Sequence, residues 1–366
     1  MTSGEHFRPP GSLVGETPSG NILPLPPDQV EFLNRLRMVN PRVVRPLPDL
    51  STHLNHEGAV VNETNLASRL NVNFSEDVLK PFAEAGERPG SVTFQPRRLA
   101  RMGSERSYRG AFFGVMNLES EEGRRQSVPV VVKQYPIMGP KDATHNAMQE
   151  VTLLDYVKKL GLPTVDLVGV IRNGYPQSGE ALMYVITRHY PGLESMDELP
   201  WRNLTAAELP DRLHPVIDTL ESLHGNLIFS GDLEFKNIGL GEDGGPVIYD
   251  LEHATSARDL VGHMTPENED EVLERLTTLM GRDFDSIAIS VDSNVYPNLP
   301  EGERPETPME RFTFELNLIL EPYHHRIMSG SSRYKDALNR VYNRVLRQRL
   351  DAARAQQEQH DNPRQG

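Results

Sequence analysis

An aspartate and an asparagine five residues apart lie inside an otherwise apolar stretch of this chain. The stretch reads "FSGDLEFKNIGL" and contains Asp232 and Asn237. A buried polar group without partners costs free energy, so their presence there needs a chemical or a structural reason. Phosphoryl transfer offers one, because it needs a carboxylate that accepts a hydroxyl proton and oxygen ligands for Mg²⁺. A loop with this spacing could direct Asp232 to the hydroxyl and Asn237 to the metal.

Two more acids follow a strand-like run shortly afterwards. The sequence "VIYDLEHA" contains Asp250, thirteen residues after Asn237, and then Glu252. A neighbouring strand could deliver Asp250 as a second metal ligand, while Glu252 could face the same side or form part of a second metal site. The alternative is structural, since Asp and Asn are common in turns and "EDGG" is typical of a hairpin.

A lysine at the end of an apolar strand pattern points to the same chemistry. In "VPVVVK", a period of two places Lys133 on the same face as Val131, which is unusual for a core strand. Seventeen residues later, Glu150 lies beside the apolar stripe of a predicted helix. A strand lysine paired with a helix glutamate can act as a fixed positive charge near phosphates. The alternative is a surface lysine that extends its ammonium to water and an unrelated glutamate.

The order and spacing of these residues resemble the protein-kinase-like superfamily. Its pattern is a lysine on the third strand, a helix glutamate, a loop D-x-x-x-x-N and a metal-binding aspartate after a short hairpin. "SGDLEFKNIGL" and "VIYDLEHA" look most like the aminoglycoside phosphotransferase and choline kinase branch, because Glu252 stands where protein kinases have the glycine of D-F-G. The resemblance covers residues 91–254 well and the later helices loosely.

The resemblance implies a role for each matched residue. The catalytic base would be Asp232. The Mg²⁺ ligands would be Asn237 and Asp250, with Glu252 as a further candidate. The α- and β-phosphates of ATP would be contacted by Lys133, held in place by Glu150. The adenine would face the backbone of a hinge-like segment, Arg188, His189 and Tyr190. The implied reaction is an ATP- and Mg²⁺-dependent transfer of the γ-phosphoryl group to the hydroxyl of a small molecule.

Two features depart from the family pattern and keep other functions open. Ser230 stands where the family usually has histidine, and Gly103, Gly110 and Gly114 do not follow the G-x-G-x-x-G order of a phosphate-covering loop. A Ser/Thr protein kinase, whose hydroxyl-bearing acceptor is a protein, is therefore a second hypothesis. A pseudokinase that serves as a nucleotide-binding or protein-binding scaffold is the third.

Strand and helix patterns place these residues on an α+β fold. From residue 91 the chain predicts two strands, a helix that carries Glu150 and two more strands, and after Gly192 it is mostly helical. Combined with the resemblance, this order predicts a two-lobed protein-kinase-like fold. Its N-lobe would be β-rich with one helix, and its C-lobe would be helical, with ATP and Mg²⁺ in the cleft.

The predicted boundaries divide the chain into four parts. Residues 1–90 are rich in Pro, Asn and Gly and are expected to form an extension that is partly disordered and partly docked on the main body, with one short helix at Asp28–Met38. Residues 91–190 would be the N-lobe and 191–355 the helical C-lobe. Residues 356–366 would be a disordered tail.

Composition excludes several other classes of protein. A net charge of −14 argues against a general nucleic-acid binder, and the lack of cysteine excludes disulfides and thiolate metal sites. No apolar run is long enough to predict a membrane span, and the first residues lack the pattern of a secretory signal, so we expect a cytoplasmic protein. The acidic stretch 266–274 and the basic last helix are both interpreted as solvated faces. The acidic stretch could alternatively attract a cationic acceptor.

Overall fold

The computed structural model describes residues 38–39, 71–100, 111–136, 143–174, 181–202, 204–241 and 244–362. Over these residues the chain is a mixed α+β protein that divides into two compact units. The first unit contains the described residues up to Tyr156 together with Val165–Pro191, and the second contains Val157–Thr164 and the described residues from Gly192 onward. None of the helices in these ranges combines the length and the apolar character needed to cross a membrane.

One antiparallel sheet forms the framework of the first unit. Its seven strands in the described part of the chain are β1 (Met38–Val39), β2 (Asn71–Ser75), β3 (Pro89–Ala100), β4 (Ala111–Ser120), β5 (Arg125–Pro136), β6 (Leu167–Gly174) and β7 (Ala181–Arg188). They lie side by side in the order β1–β2–β6–β7–β5–β4–β3. The predicted strands therefore exist, and β5, the strand of Lys133, is the third of the consecutive antiparallel run β3–β4–β5.

Alternating side chains explain why these segments form a sheet with one apolar core. Val128, Val130 and Val132 of β5 are buried at every second position, and Met116 and Leu118 of β4 follow the same period. Helix α1 (Glu76–Ala83) contributes its own apolar residues to this core. Period-two burial of β-branched and aliphatic residues is the pattern that a sheet with a buried face requires.

The last part of the N-terminal region packs on the first unit, as expected for an extension that is partly docked on the main body. β2 pairs with β6, and Phe74, Val78 and Phe82 are buried in the core of the first unit. Val78, Leu79 and Phe82 form the apolar face of α1, and Phe74 is buried from the preceding strand β2. The helix expected at Asp28–Met38 lies outside the described residues except for Met38, which belongs to β1.

The predicted helix after β5 is confirmed as α2 (Ala143–Lys159). Ala147, Val151, Leu154 and Val157 are all buried, at the three- and four-residue spacing of a helix face. Gly161 adopts φ +74° after its last turn, a conformation that favours glycine, and so ends the helix. This register also buries Glu150, one residue before Val151.

Helices make up most of the second unit. Among the described residues they are α3 (Leu209–His224), α4 (Arg258–Gly262), α5 (Glu269–Asn294), α6 (Pro308–Glu315), α7 (Glu321–Ser329) and α8 (Lys335–Asp361). The short strands are β8 (Glu194–Ser195), β9 (Ile228–Phe229), β10 (Ile238–Leu240), β11 (Pro246–Ile248) and β12 (Thr255–Ser256). β8, β10 and β11 form one small antiparallel sheet, and β9 pairs with β12.

The interpretation of the acidic and basic stretches as solvated faces is confirmed for most of their charged side chains, which are exposed, and the two stretches also pair with each other. Arg340 contacts Glu269, and Arg344 contacts Asp270, both on α5. Arg349, further along α8, binds Asp285 of α5 and Glu315 of α6 at 2.6 Å each. Ion pairs therefore connect α8 to both α5 and α6.

The end of the chain also differs from its predicted boundary. Helix α8 continues to Asp361, so residues 356–361 are helical rather than part of a disordered tail. The Gln357 side chain donates to Asp361 Oδ1 one turn later. Adding a residue to an existing helix forms a hydrogen bond without the cost of nucleation, so a polar segment can continue a helix that is already packed.

Candidate functional site

A buried ion pair in the first unit joins the predicted lysine and glutamate. Lys133 Nζ lies 2.6 Å from Glu150 Oε1, and the Tyr135 hydroxyl donates to the other carboxylate oxygen, Oε2. Glu150 is fully buried and Lys133 is 7% exposed. Lys133 and Tyr135 project from the same face of β5, two residues apart, so strand geometry directs both groups to one helix residue. The pairing predicted from the sequence is present, and both carboxylate oxygens are engaged.

The hinge-like segment uses several of its polar groups within the first unit. The Arg188 amide donates to the carbonyl of Asp166 at 2.8 Å, and the His189 amide donates to the carbonyl of Pro129 at 2.9 Å. The Tyr190 hydroxyl donates to the Asp166 carboxylate, and its pKa is raised by burial and by this hydrogen bond. Burial lowers the pKa of the His189 imidazole. Two of the amides predicted to face an adenine are therefore already bonded to the protein.

The irregular glycine segment is described only in part. Gly103, Gly110 and the intervening backbone that was considered as a phosphate cradle lie outside the described residues. Gly114 is a buried residue of β4 and pairs with Val130 of β5. It therefore belongs to the sheet rather than to a loop.

In the second unit, the loop from Ser230 to Asn237 brings the predicted base and metal ligand together. Asn237 Nδ2 donates to the Asp232 backbone carbonyl at 2.8 Å and approaches its carboxylate oxygen Oδ2 at 3.3 Å. Asn237 is buried and ends a 3₁₀ turn, Phe235–Asn237, directly before β10. Because the amide hydrogens are directed toward Asp232, the amide oxygen of Asn237 is the atom that could bind a cation.

Charges around Asp232 favour a role as a base. Burial raises the pKa of its carboxyl, Lys236 and His253 act in the opposite direction, and Glu234 raises it further, with a net upward shift. Lys236 lies on the same loop and forms an ion pair with Glu234 at 2.8 Å. Burial lowers the pKa of the Lys236 ammonium, but its contact with Glu234 and the nearby negative charges outweigh this, so its pKa is raised. A carboxylate with a raised pKa accepts a proton more readily.

A short hairpin connects this loop to Asp250, as the sequence predicts. β10 pairs with β11, with Ile238 opposite Ile248, and the Tyr249 amide donates to the Asn237 carbonyl at 3.0 Å. This hydrogen bond holds the start of the Asp250 segment beside the end of the Asp232 loop. The negative charge of Asp250 is one of several nearby charges that raise the pKa of the Lys236 ammonium.

Asp250 and Glu252 differ in their surroundings. Asp250 is half-buried, and its Oδ1 accepts a hydrogen bond from the Glu252 amide at 3.0 Å. Glu252 is 7% exposed, and its Oε1 lies 3.4 Å from the His253 imidazole. The geometry therefore makes Asp250 the better candidate for a ligand shared with solvent and phosphate. Glu252 is a buried carboxylate that lies beside the His253 imidazole.

The oxygens present fit a magnesium ion that also binds phosphate. Mg²⁺ usually takes one or two protein ligands and completes its shell with water and substrate phosphates. Asn237 and Asp250 would supply those protein oxygens. Among the described residues, no three His, Asp or Glu side chains form a group that would hold a metal by themselves.

A buried aspartate that the sequence prediction missed fixes the start of the loop. Asp283 of α5 is fully buried, and its Oδ1 accepts from the Gly231 amide at 2.6 Å while its Oδ2 accepts from the Ser230 amide at 3.0 Å. Two turns later, Ser290 Oγ accepts from the Phe235 amide at 3.0 Å. One helix therefore holds the loop on both sides of Asp232.

The sequence carries a signal for Asp283 that periodicity alone could have revealed. Val272, Leu276, Met280, Asp283 and Ile287 follow one another at three- or four-residue spacing, so Asp283 occupies the buried face of α5. A carboxylate at such a position must find hydrogen-bond donors. What the pattern does not contain is the identity of those donors, which lie more than fifty residues earlier.

Gly231 is required by the shape of the loop. It adopts φ +72°, and an added Cβ would lie 2.9 Å from the carbonyl oxygen of His253. Any side chain would therefore meet both an unfavourable backbone conformation and a fixed neighbouring backbone. Ser230, the residue before it, is buried, and its hydroxyl makes no hydrogen bond among the described residues. Trp201 stacks on Phe235 of the same loop, with the ring centres 5.2 Å apart, and so packs against the loop.

The structure thus divides the predicted site residues between its two units. The first unit contains Lys133, Glu150, Arg188, His189 and Tyr190. The second contains Asp232, Asn237, Asp250 and Glu252. No protein-family model matches the chain, and no curated protein matches it. The functional argument therefore depends on the chemistry of these two sets.

Proposed function

We propose that this chain is an ATP-dependent phosphotransferase of two-lobed, protein-kinase-like fold that transfers the γ-phosphoryl group to the hydroxyl of a small molecule. The observation that carries the proposal is the Asp232–Asn237 pair. Its hydrogen bonds leave a carboxylate of raised pKa beside an amide oxygen, at the start of a hairpin that leads to Asp250. Few structural roles need a base and two cation ligands in this order, whereas phosphoryl transfer needs all three.

Each residue has a defined task in this proposal. Asp232 accepts the proton of the acceptor hydroxyl as the oxygen attacks phosphorus. Asn237 orients Asp232 through its amide hydrogens, and Asn237 and Asp250 supply oxygens for the metal. Mg²⁺, when bound with the nucleotide, neutralises phosphate charge. The ammonium of Lys133 provides a fixed positive charge for phosphate, and Glu150 holds it in position.

A pseudokinase scaffold is a second candidate, favoured by two observations. The Arg188 and His189 amides are bonded within the protein, which reduces the backbone donors open to an adenine. Ser230, where histidine is usual for the family that this chain resembles, leaves a buried hydroxyl that makes no hydrogen bond among the described residues. A protein acceptor, as in a Ser/Thr protein kinase, would use the same groups and is distinguished by where the phosphate is found.

The first experiment measures the thermal stability of the full chain with increasing ATP, with and without Mg²⁺. A ligand that binds only the folded protein raises its stability by about 2.7 kcal/mol at a hundredfold excess over Kd. We expect stabilisation that needs Mg²⁺, disappears in Asp250→Ala and in Lys133→Met, and persists in Asp232→Ala. Asp259→Ala, an exposed aspartate of α4 that the proposal gives no role, is the matched control and should behave as the parent.

The outcomes separate the candidates. Mg²⁺-dependent binding together with ADP release on addition of an alcohol, lost in Asp232→Asn, supports the phosphotransferase. Phosphate on the protein's own Ser or Thr residues favours a protein kinase. Binding without turnover favours the scaffold, and no response to millimolar ATP contradicts the proposed function.

A further inference from the structure

A buried hydrogen-bonded chain of three side chains reaches the backbone at the start of the loop. The Tyr323 hydroxyl lies 3.0 Å from His224 Nδ1, and His224 Nε2 lies 2.8 Å from Asp283 Oδ2. All three residues are fully buried and come from three different helices, α7, α3 and α5. We call Tyr323, His224 and Asp283 the buried relay.

One arrangement of hydrogens fits both hydrogen bonds of the relay and uses the Tyr323 hydroxyl as a donor. Burial and the charge of Asp283 raise the pKa of the Tyr323 phenol well above its usual value, so its O–H remains a donor. It then donates to Nδ1 of His224, which must be unprotonated to accept. Nε2 carries the hydrogen and donates to Asp283.

The relay also controls how Asp283 meets the loop. Oδ2 accepts from both His224 and the Ser230 amide, while Oδ1 accepts from the Gly231 amide alone. The imidazole N–H therefore fixes the rotation of the carboxylate that holds these two amides. Edge-to-face contacts with Phe284 and Tyr323, with ring centres 6.4 Å and 5.5 Å away, fix the imidazole plane in turn.

We infer that Tyr323 and His224 are positioning residues for Asp232: through Asp283 they hold the Ser230–Gly231 backbone that presents the proposed base. The part of this inference that concerns catalysis rests on the proposed function. The part that concerns the loop does not, because it is a statement about two backbone amides. Tyr323 lies ninety-two residues after Gly231 in the sequence and is connected to it through the hydrogen bonds of His224 and Asp283.

The test compares two buried tyrosines that each lose one hydroxyl. Tyr323→Phe removes the first donor of the relay, and Tyr342→Phe removes a hydroxyl from the neighbouring ring, 6.2 Å away, without touching the relay. Amide hydrogen exchange is followed by NMR for the full chain. We expect the Ser230 and Gly231 amides to exchange about fivefold faster in Tyr323→Phe relative to amides of α8. Tyr342→Phe should leave that ratio unchanged.

A second pair of variants and a spectroscopic readout make the test specific. His224→Gln retains an N–H donor toward Asp283 and should restore part of the protection that His224→Leu loses. Nitrogen-15 shifts of His224 should show a hydrogen on Nε2 and none on Nδ1 in the parent. If the chain transfers phosphate, Tyr323→Phe should lower kcat while leaving the Kd for Mg²⁺ and ATP unchanged.

Failure of the relay and failure of the proposed function would give different results. Loop amides that exchange at the parental rate in Tyr323→Phe, or equally fast in both tyrosine variants, would overturn the relay, as would a His224 ring protonated at Nδ1. These measurements use no nucleotide. A chain that ignores ATP would therefore contradict the proposed function while the relay is still judged by amide exchange.

Discussion

Each of the two units contains a fully buried carboxylate, and the two carboxylates are stabilised in different ways. In the first unit, Glu150 faces the opposite charge of Lys133 and the hydroxyl of Tyr135. In the second, Asp283 accepts three N–H groups, two from the backbone of Ser230 and Gly231 and one from His224. In the first arrangement the carboxylate is paired with a positively charged side chain. In the second it is held by N–H donors, two of which belong to the backbone.

This difference has consequences for what each carboxylate can do. A side-chain ion pair can be replaced by apolar residues of similar volume, because both charges are removed together. A carboxylate that binds backbone amides has no such replacement, since the amides remain when it is removed. We therefore interpret Glu150 as a residue that places a charge and Asp283 as a residue that places a segment of chain.

The largest expected effect comes from Asp283→Ala. Three buried donors would lose their acceptor, and at about 1–3 kcal/mol for each unsatisfied group, reduced by relaxation, we expect a loss of about 3–5 kcal/mol in the free energy of unfolding. Urea unfolding followed by the fluorescence of Trp201, which stacks on Phe235 of the loop, measures it. Asp285→Ala, two residues away and exposed in its ion pair with Arg349, is the control, with an expected loss below about 1 kcal/mol. Equal losses would contradict the role assigned to Asp283.

The ion pair of the first unit should behave differently in a double-mutant cycle. Glu150→Leu leaves the buried ammonium of Lys133 without this carboxylate and should cost about 3–4 kcal/mol. Adding Lys133→Met should recover most of that loss, because both charges are then gone. Circular dichroism during urea unfolding gives the four free energies. Additive effects of the two substitutions would show that the pair is not coupled.

Gly231→Ala tests whether backbone geometry contributes to the second arrangement. The residue combines φ +72° with a close approach to the His253 carbonyl, so alanine should cost about 2 kcal/mol. Gly244→Ala is the matched control, because Gly244 has φ +76° but open space around a Cβ. We expect it to cost about half as much in thermal unfolding. Similar losses of stability in the two variants would mean that a small local movement relieves the close approach to the His253 carbonyl.

The smallest effect is a gain in stability on removal of the proposed base. Burial raises the pKa of Asp232, so its charged form is less favourable in the folded protein than in the unfolded chain. Asp232→Asn should therefore be slightly more stable than the parent at pH 7, by less than about 1 kcal/mol once solvent screening is allowed for.

The raised pKa of Asp232 also fixes how the stability difference between variant and parent changes with pH. Below the ordinary pKa of 3.8 the carboxyl is protonated in both states, and the variant should have no advantage. The advantage grows as pH rises from 3.8 through the raised folded-state pKa and is complete above it. Thermal unfolding of parent and variant between pH 3 and pH 7 measures the trend. A variant that is less stable at neutral pH would show that Asp232 supports the fold.

The chemistry-bearing residues that interact over short sequence distances were predictable. Lys133 and Glu150 lie on a strand and the helix that follows it, and Asp232, Asn237 and Asp250 lie on one loop and the hairpin after it. Periodicity and turn composition specify such neighbours, because local backbone geometry sets their distance. The buried face of each predicted strand and helix follows from the same periods.

What the sequence by itself determined is thus the identity of the groups and their local arrangement. The tertiary structure alone decided that Asp283 holds the loop, that Tyr323 reaches it through His224, and that arginines of α8 pair with carboxylates of the acidic stretch of α5. These contacts join residues from fifty to about one hundred positions apart. Many packings could satisfy one buried carboxylate or one basic helix, and only the simultaneous burial of all apolar faces selects among them.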